Sequence, residues 1–336
     1  MIKTPYLLFL GEAQDPIAVK TARGVAQWRP SQCLAEHSLV GCTISLGLPA
    51  MTPKEAAKAG ARSYVLGLAN AGGVITDNWV DAIVEAIEAG LDIVSGLHRR
   101  LSSVERIRDA AAQNGVALVD LRFTDKPLPV GSGTKRAGLR LLTVGTDCSV
   151  GKMYTTLALE AAMRERGMNA DFRATGQTGI LIAGEGLPID AVISDFISGA
   201  VEKLTPDNDA NHWDLIEGQG SLFHPSYAGV SLGLLHGAQA DALVLCHEPD
   251  RPHMRSLPHY KLPTMAETLE LNLQMARRTN AKARLVGISL NTSALESEAA
   301  QKLCADTANA FGVPCVDPLR MGVEEIVTVL EGFTCP

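Results

Sequence analysis

Apolar residues along this chain fall into short runs separated by glycine-rich and polar turns, and between the runs they recur every three to four positions. Runs of four to seven apolar residues read as buried strands, and the three-to-four spacing reads as helices with one buried face. In the first half this pattern predicts strands at 6–10, 42–46, 63–68, 91–95 and 116–121. Helices are expected around 17–24, from Thr52-Pro53-Lys54-Glu55 onward, at 79–89 with Val80, Ile83, Val84 and Ile87 on one face, and at 102–113 with a serine cap and Gly115 as the stop. Residues 69–73 (ANAGG) read as a turn. In the second half the pattern predicts strands at 141–144, 170–173, 213–216, 242–246, 284–289 and 313–316. Helices follow from Met153, at 190–204, within 261–280, at 297–311 and at 323–330.

Near-continuous apolar strands alternating with helices imply an α/β fold with parallel sheets covered on both faces. A length of 336 residues suggests about two such domains. The expected division is a Rossmann-like N-terminal half at 1–123, a linker at 124–138 rich in proline and glycine, and a P-loop NTPase-like half at 139–336. Gly72-Gly73 after a strand is a fragment of a dinucleotide signature, but the full G-x-G-x-x-G is missing, and a tight βα turn explains it.

Composition narrows the functional classes. Hydrophobic residues at 46% and charged residues at 20% describe a soluble globular chain. A net charge of −7 disfavours nucleic acid as the main partner. No apolar run is long enough to span a membrane, and the N-terminal apolar stretch is too short for a signal peptide, so the cytoplasm is the expected location. The cysteines (33, 42, 148, 246, 304, 315 and 335) are odd in number and lack a C-x-x-C pair, so neither a disulfide framework nor a metal cage is expected.

The densest chemistry lies in 141–157, LLTVGTDCSVGKMYTTL. Strand, glycine-bounded loop, Gly-Lys and helix is the order in which backbone N–H groups and a helix N-terminus cradle phosphates. The candidate cofactor-binding residues are Gly145, Thr146, Cys148, Ser149, Val150, Gly151, Lys152, Met153 and Tyr154. Two features are unusual. Gly145 lies one position further from Gly151 than in the common G-x-x-x-x-G-K-[ST] spacing, and Met153 stands where a Ser or Thr hydroxyl would hold Mg²⁺. A thioether is a poor ligand for a hard cation, which argues against ordinary ATP hydrolysis.

Ligands of open parallel sheets bind beyond the carboxyl ends of the strands. The loops expected there are 145–152, 173–179, 217–221, 247–255 and 291–292. Glu217 would hold Mg²⁺ or take a proton, Gly218 would let a ligand approach the backbone, and Ser221 could donate to an oxyanion. Six of the eight histidines lie between His212 and His259. Their six-residue gaps at 247, 253 and 259 do not suit zinc, whereas Arg251, His253 and Arg255 suit an anion, as does Arg173. A carboxylate inside a phosphate loop is tolerable where it faces an amine or acts as a base, so Asp147 leads the base candidates, with Asp195 and Glu217 behind it. Cys148, close to a helix N-terminus, is a reactive-thiol candidate with no histidine adjacent in sequence.

Gly145-Thr146-Asp147, Val150-Gly151-Lys152 and Glu217-Gly218-Gln219-Gly220 together resemble the phosphate loop and E-G-x-G segment of dethiobiotin synthetase-like proteins, from which Met153 departs. The complete layout, with its Rossmann-like half, altered loop and histidine- and arginine-rich segment, resembles the D-glutamate N-acetyltransferase family, long described only as a domain of unknown function. That resemblance covers nearly the whole chain. It implies acetyl transfer from acetyl-CoA to the amino group of D-glutamate, with the CoA phosphates on the loop and the glutamate carboxylates on Arg173, Arg251 or Arg255. The expected partners are small molecules, in a homo-oligomer, with no nucleic acid and no membrane. The alternatives are a Mg·ATP-dependent ligase or kinase, and a nucleotide-binding regulator without turnover.

Overall fold

In a computed structural model, which describes residues 2–68, 73–124 and 127–333, the chain builds two parallel sheets, each in its own unit. The first unit comprises residues 1–125 and 177–188, the second 126–176 and 189–336. Among the described residues, no helix is long and apolar enough to cross a membrane.

The first sheet contains β1 (Tyr6–Gly11), β2 (Cys33–Ser38), β3 (Ser63–Leu66), β4 (Asp92–Ser95) and β5 (Leu118–Asp120), in the order β2-β1-β3-β4-β5. Every residue of β1 is buried, as a strand covered on both faces requires. The helices are α1 (Lys20–Trp28), α2 (Pro53–Lys58), α3 (Asp77–Glu88) and α4 (Glu105–Asn114). Thr52 and Glu55 close a reciprocal capping box at the start of α2. On α3, Val80, Ile83 and Ile87 of the predicted stripe are buried, joined by Trp79, whereas Val84 is only half-buried.

Three expectations differ here. Residues 42–46 are not a strand; the strand is β2, which begins nine residues earlier. Its Glu36 is buried, and the carboxylate accepts from Ser45 Oγ and Leu46 N, each at 2.7 Å, so the 42–46 segment is held by a side chain rather than by a strand ladder. The α1 helix starts at Lys20, three residues later than expected. The helix α4 starts at Glu105 because Ser103 lies in a preceding 3₁₀ turn, where its hydroxyl donates to the Arg100 carbonyl. Residues 69–72 of the expected turn lie outside the described residues.

The second sheet is built on β6 (Leu139–Gly145), which is wholly buried and leads through the phosphate loop into α5 (Lys152–Glu165). Next come β7 (Ala170–Arg173) and α6 (Gln177–Ala183). The α6 helix belongs to the first unit, where Arg29 Nε donates to the Ile182 carbonyl at 3.0 Å and Thr178 Oγ1 to Thr21 Oγ1 at 3.1 Å. The second unit continues with α7 (Ile197–Leu204), β8 (Trp213–Ile216), α8 (Ala228–Ala238), β9 (Ala242–His247), α9 (Met265–Ala276), β10 (Arg284–Leu290), α10 (Ser297–Phe311), β11 (Cys315–Val316) and α11 (Glu324–Glu331). The strand order is β11-β10-β9-β6-β8-β7, so β6 is central with β9 and β8 on either side. Leu141, Leu159, Met163, Trp213, Leu215, Val244, Ile326 and Leu330 are among the residues of its core.

The single helix expected at 190–204 is broken into two 3₁₀ turns, Ile189–Ala191 and Ser194–Phe196, before α7 begins. The helix α8 had no counterpart in the pattern because it has no polar face to set a period. Its Gly233 lies against the Ile197 side chain and its Gly237 against the Ser198 backbone, so α7 and α8 pack closely through small residues. Of the linker expected at 124–138, residues 127–138 are bound into the second unit. Glu202 accepts from the N–H groups of Ser132 and Gly133, and the buried Arg136 donates to the carbonyls of Thr205 and Gly237.

Candidate functional site

Because β9, β6 and β8 are neighbours, the loops that follow them meet at one edge of the second sheet. The loop after β6 is shaped by two left-handed residues, Ser149 (φ 54°) and Gly151 (φ 98°). For Ser149 this conformation costs about 1–2 kcal/mol. Successive residues of opposite hand turn their N–H groups toward a common concavity, the nest that receives anions. The N–H groups of Ser149 and Gly151 carry no hydrogen bond among the described residues, and no side chain caps α5. An anion there would satisfy donors that the fold leaves open.

Lys152 closes the other side. Its buried Nζ donates to the carbonyls of Asp147 at 2.7 Å and Gly220 at 2.8 Å, and burial lowers its pKa. The 217–221 segment comes this close because residue 218 has no side chain: a Cβ there would stand 1.7 Å from the Thr143 carbonyl oxygen. Ser221 Oγ donates to the Thr146 carbonyl at 3.1 Å, so its hydroxyl secures the loop.

Asp147 was expected as a base. It is fully buried, and both carboxylate oxygens are engaged within the site. One oxygen accepts from the Cys148 N–H at 2.7 Å; the other accepts from Arg251 Nη1 and the Arg255 N–H, each at 2.7 Å. Arg251 also donates to the carbonyls of Cys148 at 2.7 Å and Ser149 at 3.0 Å, and to the Glu248 carboxylate. Burial works to lower the Arg251 pKa, but its bonds to Glu248 and Asp147 outweigh it and raise it. Asp147 and Arg251 therefore form a clamp that ties the phosphate loop to 248–255, and Arg251 is not free to grip an outside anion.

The other expected residues separate in the same way. Arg173 donates through Nε to Asp214 at 2.6 Å and leans on Asp171, inside a separate ionic cluster. Asp195 is exposed in the 3₁₀ turn before α7 and has no hydrogen bond or ion pair to the phosphate loop among the described residues. His253 Nδ1 lies 2.9 Å from the Met254 carbonyl. Arg255 is half-buried, and although its N–H is held by Asp147, its guanidinium has no partner among the described residues. Met153 and Tyr154 are half-buried on the first turn of α5.

Asp147, Cys148 and His224 bring potential ligand atoms within 4.8 Å of one another. Their chemistry does not suit a cation. The Asp147 oxygens are occupied, His224 Nδ1 accepts from the Ser226 N–H at 3.2 Å, and its Nε2 faces the Arg255 carbonyl at 3.4 Å.

Glu217 is buried at the end of β8, where its Oε2 accepts from the N–H groups of Thr175 at 3.0 Å and Gly176 at 3.1 Å. Burial, opposed by these bonds, pushes its pKa up to about 7 from an ordinary 4.5. An acid whose folded pKa is raised contributes stability that is complete below pH 4.5 and is lost as pH rises toward 7. The loss amounts to about 3 kcal/mol. Glu217→Gln, uncharged throughout, should flatten that part of the profile in denaturant titrations between pH 4.5 and 7.5. An unchanged slope in the variant would contradict the buried-acid assignment.

His247 opens the expected strand-end segment 247–255, where the sequence weighs it only as a zinc ligand and gives it no catalytic role. It ends β9, is half-buried, and places Nδ1 2.9 Å from Thr146 Oγ1 in the phosphate loop. Its position immediately after the apolar run ALVLC, the same position that marks Glu217, places it at a strand end; its contact with Thr146 is what the sequence does not show.

A central buried strand, a loop with inward N–H groups and a lysine at the helix start define a P-loop protein of the α/β class, here joined to a Rossmann-like unit. More narrowly, the chain belongs to the DUF1611 family. Residues 129–327 match its P-loop domain of unknown function, and residues 37–124 match its Rossmann-like N-terminal domain. The chain is 54% identical over 329 residues to a D-glutamate N-acetyltransferase of a Pseudoalteromonas species, covering 98% of this chain and 99% of the relative. It is 51% identical over 330 residues to a D-glutamate N-acetyltransferase of Tritonibacter scottomollicae, with the same coverage. The crystal structure of a DUF1611 family protein from Anabaena variabilis, 32% identical, superposes with a TM-score of 0.89 over 98% of this chain and 100% of that one.

Proposed function

We propose that this protein transfers an acetyl group from acetyl-CoA to the amino group of D-glutamate. The observation that carries the reading is the 54% identity, sustained over 98% of the chain, to a protein with that transferase activity in its name. The local chemistry supports the donor. A pyrophosphate fits the open N–H groups of Ser149 and Gly151, the α5 N-terminus and the Lys152 ammonium, and acetyl transfer needs no metal hydroxyl at position 153. The thioester supplies an activated acyl carbon. The chain's own residues hold the phosphates, orient the amino acid and accept a proton.

Arg255, the uncommitted guanidinium of the three arginines considered, is placed to take a glutamate carboxylate. Asp147 and Arg251 keep the loop in its phosphate-binding shape, and Glu217 fixes the Thr175–Gly176 turn beside it. A free amino acid and a CoA thioester are both cytoplasmic small molecules, consistent with a cytoplasmic enzyme.

Incubating the purified protein with acetyl-CoA and D-glutamate should release free thiol in step with N-acetylglutamate detected by mass, and L-glutamate should react more slowly. Absence of thiol with either enantiomer, accompanied by phosphate release from ATP and Mg²⁺, would replace this reading with the ligase or kinase. Tight nucleotide binding without any product would favour the regulator.

A further inference from the structure

We infer that His247 is the general base that removes a proton from the acceptor amine, an inference that rests on the acetyl-transfer reading above. Its position follows from the sheet. The register pairs Gly145 at the end of β6 with Cys246 on β9, so the next residue of each strand, Thr146 and His247, stand side by side where the phosphate loop opens. The Asn291 N–H donates to the His247 carbonyl at 2.8 Å, which fixes the backbone from the β10 side. Either atom of the Nδ1–Thr146 Oγ1 pair, 2.9 Å apart, can donate; in the tautomer with Nδ1–H as the donor, which we assign here, the lone pair lies on Nε2. That nitrogen has no partner among the described residues, and the side chain is half-buried rather than sealed.

Asp147, Glu217, His224 and His253 each lack one of those properties. Both Asp147 oxygens are committed, Glu217 is buried with two N–H groups on one oxygen, and both His224 nitrogens are engaged. His253 has no bond to the phosphate loop.

Burial lowers the His247 pKa, and the Arg251 guanidinium lowers it further, against the raising effect of Glu248 and Asp250. The phosphate loop presents it with the neutral Thr146 hydroxyl, while the Asp147 carboxylate beyond is paired with Arg251; Asn291 adds no charge. The imidazole is therefore neutral at pH 7, the form a base requires.

The step balances as follows. The ammonium of D-glutamate gives one proton to His247 Nε2. The freed amine nitrogen then bonds to the thioester carbonyl carbon, and the carbon–sulfur bond breaks with its electron pair leaving on sulfur. The nitrogen sheds a second proton as the amide forms. Of the two protons, one ends on the CoA thiolate and the other returns to water.

His247→Asn keeps a polar group at the Nδ1 position for Thr146 but has nothing basic at Nε2, and His247→Ala removes both. Each should lower kcat by about 100-fold or more at pH 7 while leaving the KM for acetyl-CoA within about 2-fold, because proton transfer and donor binding use different groups. The acid limb of the pH–rate profile, on which activity rises as the imidazole loses its proton, should disappear in both. Added imidazole should restore part of the His247→Ala rate. A His247→Asn enzyme that retains near wild-type kcat with the acid limb in place overturns the assignment while acetyl transfer by the wild type stands. A wild type that forms no N-acetylglutamate removes both.

Discussion

Arg251→Met should destabilise the second unit by about 3–5 kcal/mol, because it leaves the Asp147 carboxylate buried without its counter-charge. Asp147 has no exposed surface, its remaining hydrogen-bond partners are two backbone N–H groups, and the nearby Lys152 ammonium is bonded to the Asp147 and Gly220 carbonyls rather than to the carboxylate. The same substitution strips a donor from the carbonyls of Cys148 and Ser149, so the loop loses the contacts that hold its left-handed turn. Asp147→Asn should be destabilising as well, since Arg251 then keeps only Glu248 as a charged partner. The double variant should be much less harmful than the two single effects added, because neither charge is then stranded. Denaturant titration of all four proteins measures this coupling directly. Additive losses, or a single-variant cost below about 1 kcal/mol, would show that the pair does not act as a clamp.

Why the sequence located this edge of the sheet but misassigned its residues follows from what a linear pattern contains. Buried strands are visible as apolar runs, and a residue just beyond such a run must lie at a strand end; this made the phosphate loop, Glu217 and the 247–255 segment legible. Partnership is different, because it depends on which strands are neighbours. Arg173 and Asp171 are two apart, so they share a face of β7, and the register sets Asp171 opposite Asp214. That pairing consumes the Arg173 guanidinium, and nothing in the local sequence reveals it. Asp147 and Arg251 are likewise 104 residues apart, and they meet only because β6 and β9 are adjacent.

The missed elements have a related cause. The strand β2 carries Glu36 and His37 in its middle, polar residues that a period-two reading excludes. The fold satisfies them through Ser45, Leu46 and the Tyr64 hydroxyl, which lies 2.7 Å from His37. The helix α6 is too short to show a period, and its membership of the first unit is a tertiary fact.

Lys152→Ala should raise the KM for acetyl-CoA by about 10- to 100-fold, the range set by losing one charge-assisted hydrogen bond of roughly 1.5–3 kcal/mol. The expected change is in donor binding rather than in kcat, because an ammonium at the start of α5 meets the phosphates and not the acyl carbon. Stability should move less than affinity. The ammonium is already desolvated, as its lowered pKa records, so part of what its bonds to the Asp147 and Gly220 carbonyls contribute is offset by the cost of burying it. Lys152→Met, which keeps the packing of the stem, separates the two effects: its stability should stay nearer the wild type while its donor KM rises as in the alanine variant. Initial rates at varied acetyl-CoA, with thermal melts of the same preparations, decide the matter. An unchanged donor KM in both variants would mean that the loop binds some other anion, and the open N–H groups of Ser149 and Gly151 would then need a different ligand.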